Sequence, residues 1–315
     1  MIYDTIPGLN KKWSKITLGC WELAPSAGWG NNCSEADAYK IVQNALEVGI
    51  TAFDTAEGYG DGESERRLSK GLGDQKDKVI IISKIWPDVD LTLEAYEERL
   101  DNSLKALNRD YLDVYLVHWP ADHFNTPEKS KKLADIMQEL KDKGKTKLIG
   151  LSNFHKVHLE LLGPSVSKFS INQVPYNLLE QKYSGETREI CEANNIKYMA
   201  YSPLAKGLLS HALSAEDLAL PARKNEAIFS EPLYSHAVKV FNEVQSIATE
   251  LNVKPIDVAV AWVLEQENML TAIVGSKKPD QVLEYRKILD TKLTNIQLQK
   301  LNNASELFAH YNLSS

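Results

Sequence analysis

Residues 79–119 decide the fold. Val79-Ile80-Ile81-Ile82-Ser83-Lys84-Ile85 reads as a strand, residues 92–107 as a helix, and Leu112-Asp113-Val114-Tyr115-Leu116-Val117-His118-Trp119 as the next strand. The first run is nearly all β-branched, which suits a pleated, buried surface. The helical run puts Leu93, Tyr96, Leu100, Leu104 and Leu107 on one face, at the three-to-four-residue spacing of an amphipathic helix. Strands separated by a helix run parallel through a crossover.

The same unit repeats in both directions. Upstream lie strands Lys15–Trp21 and Thr51–Thr55, each followed by a helix. The first of these helices is capped by Ser34 with Asp37 and striped by Ala38, Ile41, Val42, Ala45 and Leu46, and the second spans Glu63–Leu72. Downstream, Thr126-Pro127 opens a helix, and strands Lys147–Ser152, Ser170–Val174, Lys197–Ser202 and Thr271–Gly275 follow. Helices are expected near 155–162, 183–193, 235–251, from Pro255 to about 266, after Pro279, and after Thr294 with Gln297 as its cap. Eight such units without a composition break predict a single (β/α)8 TIM barrel domain over 1–315. It would carry an N-terminal extension and extra helices before the eighth strand and at the C-terminus. An open doubly wound sheet would want a glycine-rich turn after the first strand, where Glu22–Ala27 stands instead. The connection 203–233, with Pro203, Gly207, Pro221 and Pro232, is too long for an ordinary loop and reads as a lid.

Composition narrows the function classes. The 315 residues hold 36 Lys+Arg against 43 Asp+Glu, a net charge of −7, and no long basic run, so nucleic acid is not an expected partner. Cys20, Cys33 and Cys191 are odd in number and form no C-x-x-C pair, which argues against a disulfide scaffold or structural zinc. His118, His123, His155 and His158 do not read as a metal site, so no metal is expected. Met1–Asn10 lacks an apolar leader and no run approaches the ~18 apolar residues of a membrane span. A soluble cytoplasmic protein without an obligate protein partner is expected.

Barrel enzymes carry their chemistry at the C-terminal strand ends. The second strand ends in Asp54 and runs into Gly58-Tyr59-Gly60, the third ends near Lys84, and the fourth ends at His118. Neighbouring strands are ~4.8 Å apart, so these side chains can converge. A free tyrosine titrates near ~10, too high for easy proton donation, and a nearby ammonium is expected to lower it. Lys84 supplies that charge, Asp54 can partner it, and His118 can bond a substrate oxygen. Each residue also has a plain structural reading, as a cap, a packed aromatic, a solvated lysine or a core histidine. Together they suit protonation of an oxygen whose carbon receives a nucleophile such as hydride.

Phe53-Asp54-Thr55-Ala56 through Gly58-Tyr59-Gly60, then Glu63-Ser64-Glu65, Ser83-Lys84 and Val117-His118-Trp119-Pro120 resemble the motifs of the aldo-keto reductases. Gly150-Leu151-Ser152-Asn153-Phe154, Asn172-Gln173-Val174-Pro175-Tyr176-Asn177 and Tyr201-Ser202-Pro203-Leu204 follow in family order. The resemblance implies an NADPH-dependent reductase of small aldehydes or ketones. Tyr59 would be the general acid, Lys84 and Asp54 its tuning pair and His118 the orienting group. The resemblance also implies a cofactor extended across the barrel mouth. Ser152, Asn153 and Gln173 would hold the carboxamide, Tyr201 would stack on the nicotinamide, and Ser202, Pro203, Leu204 and Gly207 would meet the pyrophosphate. Cys20, Trp21 and Asp54 would border the cofactor, and Gly275, Ser276, Lys277, Gln281 and Glu284 would receive its adenosine end. Gln281 stands where an Arg often grips the 2′-phosphate, and Tyr285 where an Asn often meets adenine, which leaves NADH or dual use open.

Trp21, Trp29, Trp86 and Trp119 fall at or near strand ends and are expected to wall a substrate pocket, or else to pack the rim. The segment after the last helix is short, so small substrates are expected. Two other readings stay open: a nicotinamide-binding regulatory subunit, and a Schiff-base lyase using Lys84, against which Asp54 argues by keeping the amine charged.

Overall fold

The computed structural model describes residues 1–25 and 33–309. A short antiparallel ribbon, β1 (Tyr3–Asp4) with β2 (Trp13–Ser14), opens the chain. Eight parallel strands then close into a barrel in sequence order: β3 (Ile16–Gly19), β4 (Ala52–Asp54), β5 (Ile80–Ile85), β6 (Leu112–Val117), β7 (Thr146–Ser152), β8 (Ile171–Pro175), β9 (Lys197–Tyr201) and β10 (Met269–Gly275), which pairs back onto β3. The expected (β/α)8 fold is the observed one.

Helices surround it: α1 (Glu35–Glu47), α2 (Glu63–Leu72), α3 (Leu93–Leu107), α4 (Pro127–Asp142), α5 (Lys156–Leu162) and α6 (Glu186–Ala193). The long connection after β9 holds the single turn α7 (Ala215–Leu218), followed by α8 (Leu233–Leu251) and α9 (Pro255–Leu264) before β10. The last three are α10 (Pro279–Leu283), α11 (Tyr285–Ile288) and α12 (Asn295–Ala309). The caps read from sequence form: Ser34 accepts from the Asp37 amide, Thr126 from Lys129, and Thr294 from Gln297. Several boundaries move: the first barrel strand stops at Gly19, with Trp21 in a 3-10 turn beyond it, β10 begins at Met269 and α8 at Leu233. Gly185 sits at φ 63°, outside helical space, so α6 starts at Glu186. The helix after Pro279 is two pieces that share Glu284 as C-cap and N-cap. Among the described residues no helix is long and apolar enough to cross a membrane.

Alternation along the strands sorts the core into two layers. Phe53, Ile81, Ile85, Tyr115, Val117 and Leu151 face outward to the helices. Ala52, Ile80, Ile82, Val114, Leu116, Leu148, Ile171, Met199 and Leu270 fill the barrel, and Ile6, Leu9 and Trp13 close it from beneath. That end is sealed further by Asp113, which accepts from Lys11 Nζ at 2.7 Å, Arg109 at 2.8 Å and the Ile81 amide at 3.0 Å. Period two then carries the inward rows upward to Asp54, Lys84, His118, Ser152, Gln173 and Tyr201. The open mouth is therefore the C-terminal one, and its lining is polar.

Candidate active site

Lys84 is fully buried at the end of β5. Its ammonium donates to Asp54 Oδ2 at 2.8 Å, to the Thr55 carbonyl at 2.7 Å and to the Tyr59 hydroxyl at 3.2 Å. Three acceptors satisfy its three donors, which is what a buried ammonium requires. Asp54, on β4, accepts from Gln173 Nε2 through its other oxygen at 2.7 Å. Tyr59 lies in the loop between β4 and α2, its ring 5.8 Å from that of His118 and edge-on to it. The four residues expected to converge do so.

Their electrostatics correct one expectation. Burial raises the Tyr59 hydroxyl above its ordinary value, and the opposing pull of Lys84 does not overcome it. Asp54 sits against the same ammonium and itself raises Tyr59. Tyr59 is thus fully protonated at neutral pH and holds a proton to give. Burial works against the charge on Lys84, yet Asp54 and Tyr59 outweigh it and raise its pKa. A lysine held as ammonium is no Schiff-base nucleophile, so the lyase reading loses its basis. Burial first, then Lys84, drives His118 down to about 2. Its ring is neutral, and its Nδ1 is buried without a partner.

Beyond these four, the mouth offers a cradle for a long anionic ligand. Asn153 (φ 66°) donates to the His118 carbonyl at 3.0 Å and to Ser152 Oγ at 3.1 Å, and accepts from the Tyr201 hydroxyl at 2.8 Å. After β9 the chain holds Ser202, Ala205, Lys206 and Gly207 at positive φ (51°, 47°, 55° and 97°). Three of these are not glycine, a strain that clusters at ligand clamps. The turn is closed by its own backbone: the Ala205 amide donates to the Ser202 carbonyl at 3.0 Å and the Gly207 amide to the Leu204 carbonyl at 2.9 Å. Arg223, which the sequence reading missed, is buried here and donates to the Lys206 and Asp217 carbonyls at 2.8 and 2.9 Å. No periodic signal in the proline-rich connection marked it. On the opposite side Gly275 pairs in register with Gly19, so neither β10 nor β3 adds a side chain of its own at that level, and the Glu22 carboxylate lies over Gly275. These features fit a dinucleotide.

The remaining predicted residues are placed as follows. Cys20 turns its side chain into the layer outside the barrel, so only its backbone borders the mouth. Gln281 Oε1 accepts from the Lys277 and Lys278 amides at 3.0 and 3.1 Å, Ser276 Oγ donates to the Lys278 carbonyl at 2.7 Å, and Glu284 pairs with Lys254. Pro203 is buried and Leu204 half-buried. Trp21, Trp86 and Trp119 are about two-fifths exposed at the rim (39%, 42% and 40%), and Trp86 meets His118 edge-on at 5.1 Å. Trp29 lies outside the described residues. His155 and His158 bond to each other at the start of α5, which accounts for that pair structurally.

The fold is a (β/α)8 barrel, and Asp54, Lys84, Tyr59 and His118 meet at its C-terminal mouth. A model of the Aldo/keto reductase family matches residues 15–306, and the chain belongs to that family. It is an aldo-keto oxidoreductase. It is 30% identical to aldo-keto reductase YhdN of Bacillus subtilis (strain 168), over 97% of this chain and 94% of that one. It is 25% identical to the NADH-specific methylglyoxal reductase of Escherichia coli (strain K12), over 93% and 95%. An aldo-keto reductase from Klebsiella pneumoniae in complex with NADPH superposes with a TM-score of 0.75 at 23% identity, over 98% of this chain and 96% of that one. The expectation of a nicotinamide dinucleotide, with NADPH and NADH both open, agrees with these neighbours.

Proposed function

We propose that the protein reduces small aldehydes or ketones, with NADPH as the preferred dinucleotide, and that it works in the cytoplasm, where its unpaired cysteines stay reduced. The observation that carries the reading is the buried Asp54–Lys84–Tyr59 chain ending beside His118 at the barrel mouth. The dinucleotide supplies hydride to the carbonyl carbon. His118, neutral, donates an N–H to the carbonyl oxygen and fixes its direction. Tyr59 gives that oxygen its proton. The ammonium of Lys84 stabilises the phenolate left behind, and Asp54 keeps Lys84 charged. Ser152, Asn153 and Gln173 would hold the carboxamide, Tyr201 would stack on the nicotinamide, and the 203–233 connection with Arg223 would cover the phosphates. Trp21, Trp86 and Trp119 wall the carbonyl site.

Fluorescence titration with NADPH and NADH, followed by dinucleotide oxidation against a panel of small aldehydes, tests this. Tyr59→Phe is expected to keep dinucleotide affinity and lose ~10²-fold or more of kcat. Unchanged turnover overturns Tyr59 as the acid, and absence of dinucleotide binding overturns the reading.

A further inference from the structure

Glu22 has no part in the chemistry above, yet it sits in the floor of the candidate dinucleotide groove. It lies in the 3-10 turn Trp21–Leu23 that follows β3. Its carboxylate rests on Gly275: a Cβ at that glycine would lie 2.2 Å from Glu22 Oε2 and 2.6 Å from Oε1. The approach is possible only because Gly275 has no side chain. Gly275 is paired with Gly19, so the carboxylate occupies the one stretch of the β3–β10 seam that two glycines leave bare. An acid side chain is thus placed where a long anionic ligand would run.

Among the described residues the charged and titratable groups acting on Glu22 are few. Lys277, from the turn after β10, favours its anion. Tyr59, Cys20 and Cys33 face it from the neighbouring turns, and Tyr285 from α11, all uncharged at neutral pH. Burial outweighs both the hydrogen bond from Glu22's own backbone amide and the charge of Lys277, and pushes the carboxyl up to about 7.

We infer that Glu22 is an internal occupant of the dinucleotide groove, lying over Gly275, and that its ionised form takes up a proton when the anionic dinucleotide enters. This rests on the reading that the groove binds a dinucleotide. An approaching phosphate is a like charge and disfavours the ionised carboxyl. Above the free carboxyl's midpoint, binding must then draw a proton from solvent, and affinity falls as pH rises. Below that midpoint Glu22 is already neutral and affinity is level. Linkage bounds the slope at about tenfold in Kd per pH unit for one proton.

The test measures Kd for NADPH and for NADH between about pH 6 and pH 8.5, for the natural protein and for Glu22→Gln, and counts protons by calorimetry in two buffers of different ionisation enthalpy. NADH is included because it lacks the titrating 2′-phosphate. The expected result is a natural Kd that weakens several-fold across this span, with proton uptake on the alkaline side. Glu22→Gln is expected to bind more tightly at the alkaline end, with a shallower profile and no such uptake. Equal profiles and no proton uptake by the natural protein overturn the inference, whatever the fold of the variant. Weaker binding by Glu22→Gln at every pH also overturns it, and assigns Glu22 as a hydrogen-bond acceptor for the ligand. If neither protein binds either dinucleotide at any pH, the function reading falls and the inference with it, a result distinguished by the missing binding signal.

Discussion

Gln173 Nε2 donates to Asp54 Oδ1 at 2.7 Å, joining β8 to β4 across the full width of the barrel. Asp54 therefore has one oxygen on Lys84 and the other on Gln173. Gln173→Leu would leave a buried carboxylate oxygen without its partner, at a cost of about 1–3 kcal/mol. The freed carboxylate would no longer hold its angle to Lys84. Thermal unfolding is expected to show the lost stability, and steady-state kinetics a fall in kcat larger than any rise in the carbonyl substrate's KM. A variant with natural kcat would separate Gln173 from the proton chain.

The pH profile of turnover follows from the two shifted groups at the mouth. Tyr59 donates only while protonated, a form present below its pKa and lost as pH rises through it. Burial raises that pKa above the ordinary tyrosine value. His118 is neutral far below its ordinary value. With dinucleotide and carbonyl both saturating, kcat is expected to be level from about pH 6 to pH 9, because neither group titrates there. A limb near the ordinary histidine pKa would show that His118 changes charge during turnover.

His118 also predicts acid sensitivity of the fold. Its folded pKa is depressed to about 2 from an ordinary 6.5. Below 6.5 the unfolded chain takes up a proton that the folded chain refuses. The contribution is fully present above that pH and is lost as pH falls, by up to about 1.4 kcal/mol per unit. Between about pH 7 and pH 5 the natural protein is expected to lose about 2 kcal/mol more than His118→Gln in urea unfolding. Equal losses would mean that His118 is protonated in the folded state.

Gly150 tests the inward row of the barrel. A Cβ there would lie 2.5 Å from Leu116 Cδ2 and 2.9 Å from the Ile171 carbonyl oxygen. The leucine can rotate, but the strand backbone cannot. Gly150→Ala is expected to destabilise by about 1–3 kcal/mol through overpacking, read as a lowered Tm. An unchanged Tm would mean that the barrel interior yields more readily than this packing suggests.

Strand parity is why so much of the site was legible. Once Val79–Ile85 and Leu112–Trp119 are strands, Lys84 and His118 must share the inward face with Ile82 and Leu116, and the barrel rule puts them at the working end. The Tyr59 pKa was not legible, because its sign depends on how deeply the loop buries the ring and how far Asp54 cancels Lys84. Arg223 and Glu22 were missed for a related reason. One sits in a connection without periodicity, and the other matters only because β10 returns beside β3 and brings Gly275 beneath it, a contact some 250 residues apart in sequence. Two-residue strands such as β1 and β2 are too short for alternation to register.

Arg99 supplies the last prediction, since it holds the loop that carries the acid. From α3 its guanidinium grips Glu57 bidentately, Nε to Oε2 at 2.8 Å and Nη2 to Oε1 at 2.6 Å. It also reaches Asp88 at 3.0 Å. Glu57 lies two residues before Tyr59 and accepts from the Trp86 amide at 2.6 Å. The fork thus ties the Tyr59 loop and the Trp86 rim to a rigid helix, and a bidentate pair fixes direction as well as distance. Arg99→Met is expected to lower kcat by about tenfold, since small misplacements of a proton donor are costly, while dinucleotide affinity changes little. Arg99→Lys keeps the charge without the fork, and partial recovery of kcat with it would assign the effect to charge. Recovery near zero would assign it to geometry, and natural kcat in Arg99→Met would show that the loop holds Tyr59 unaided.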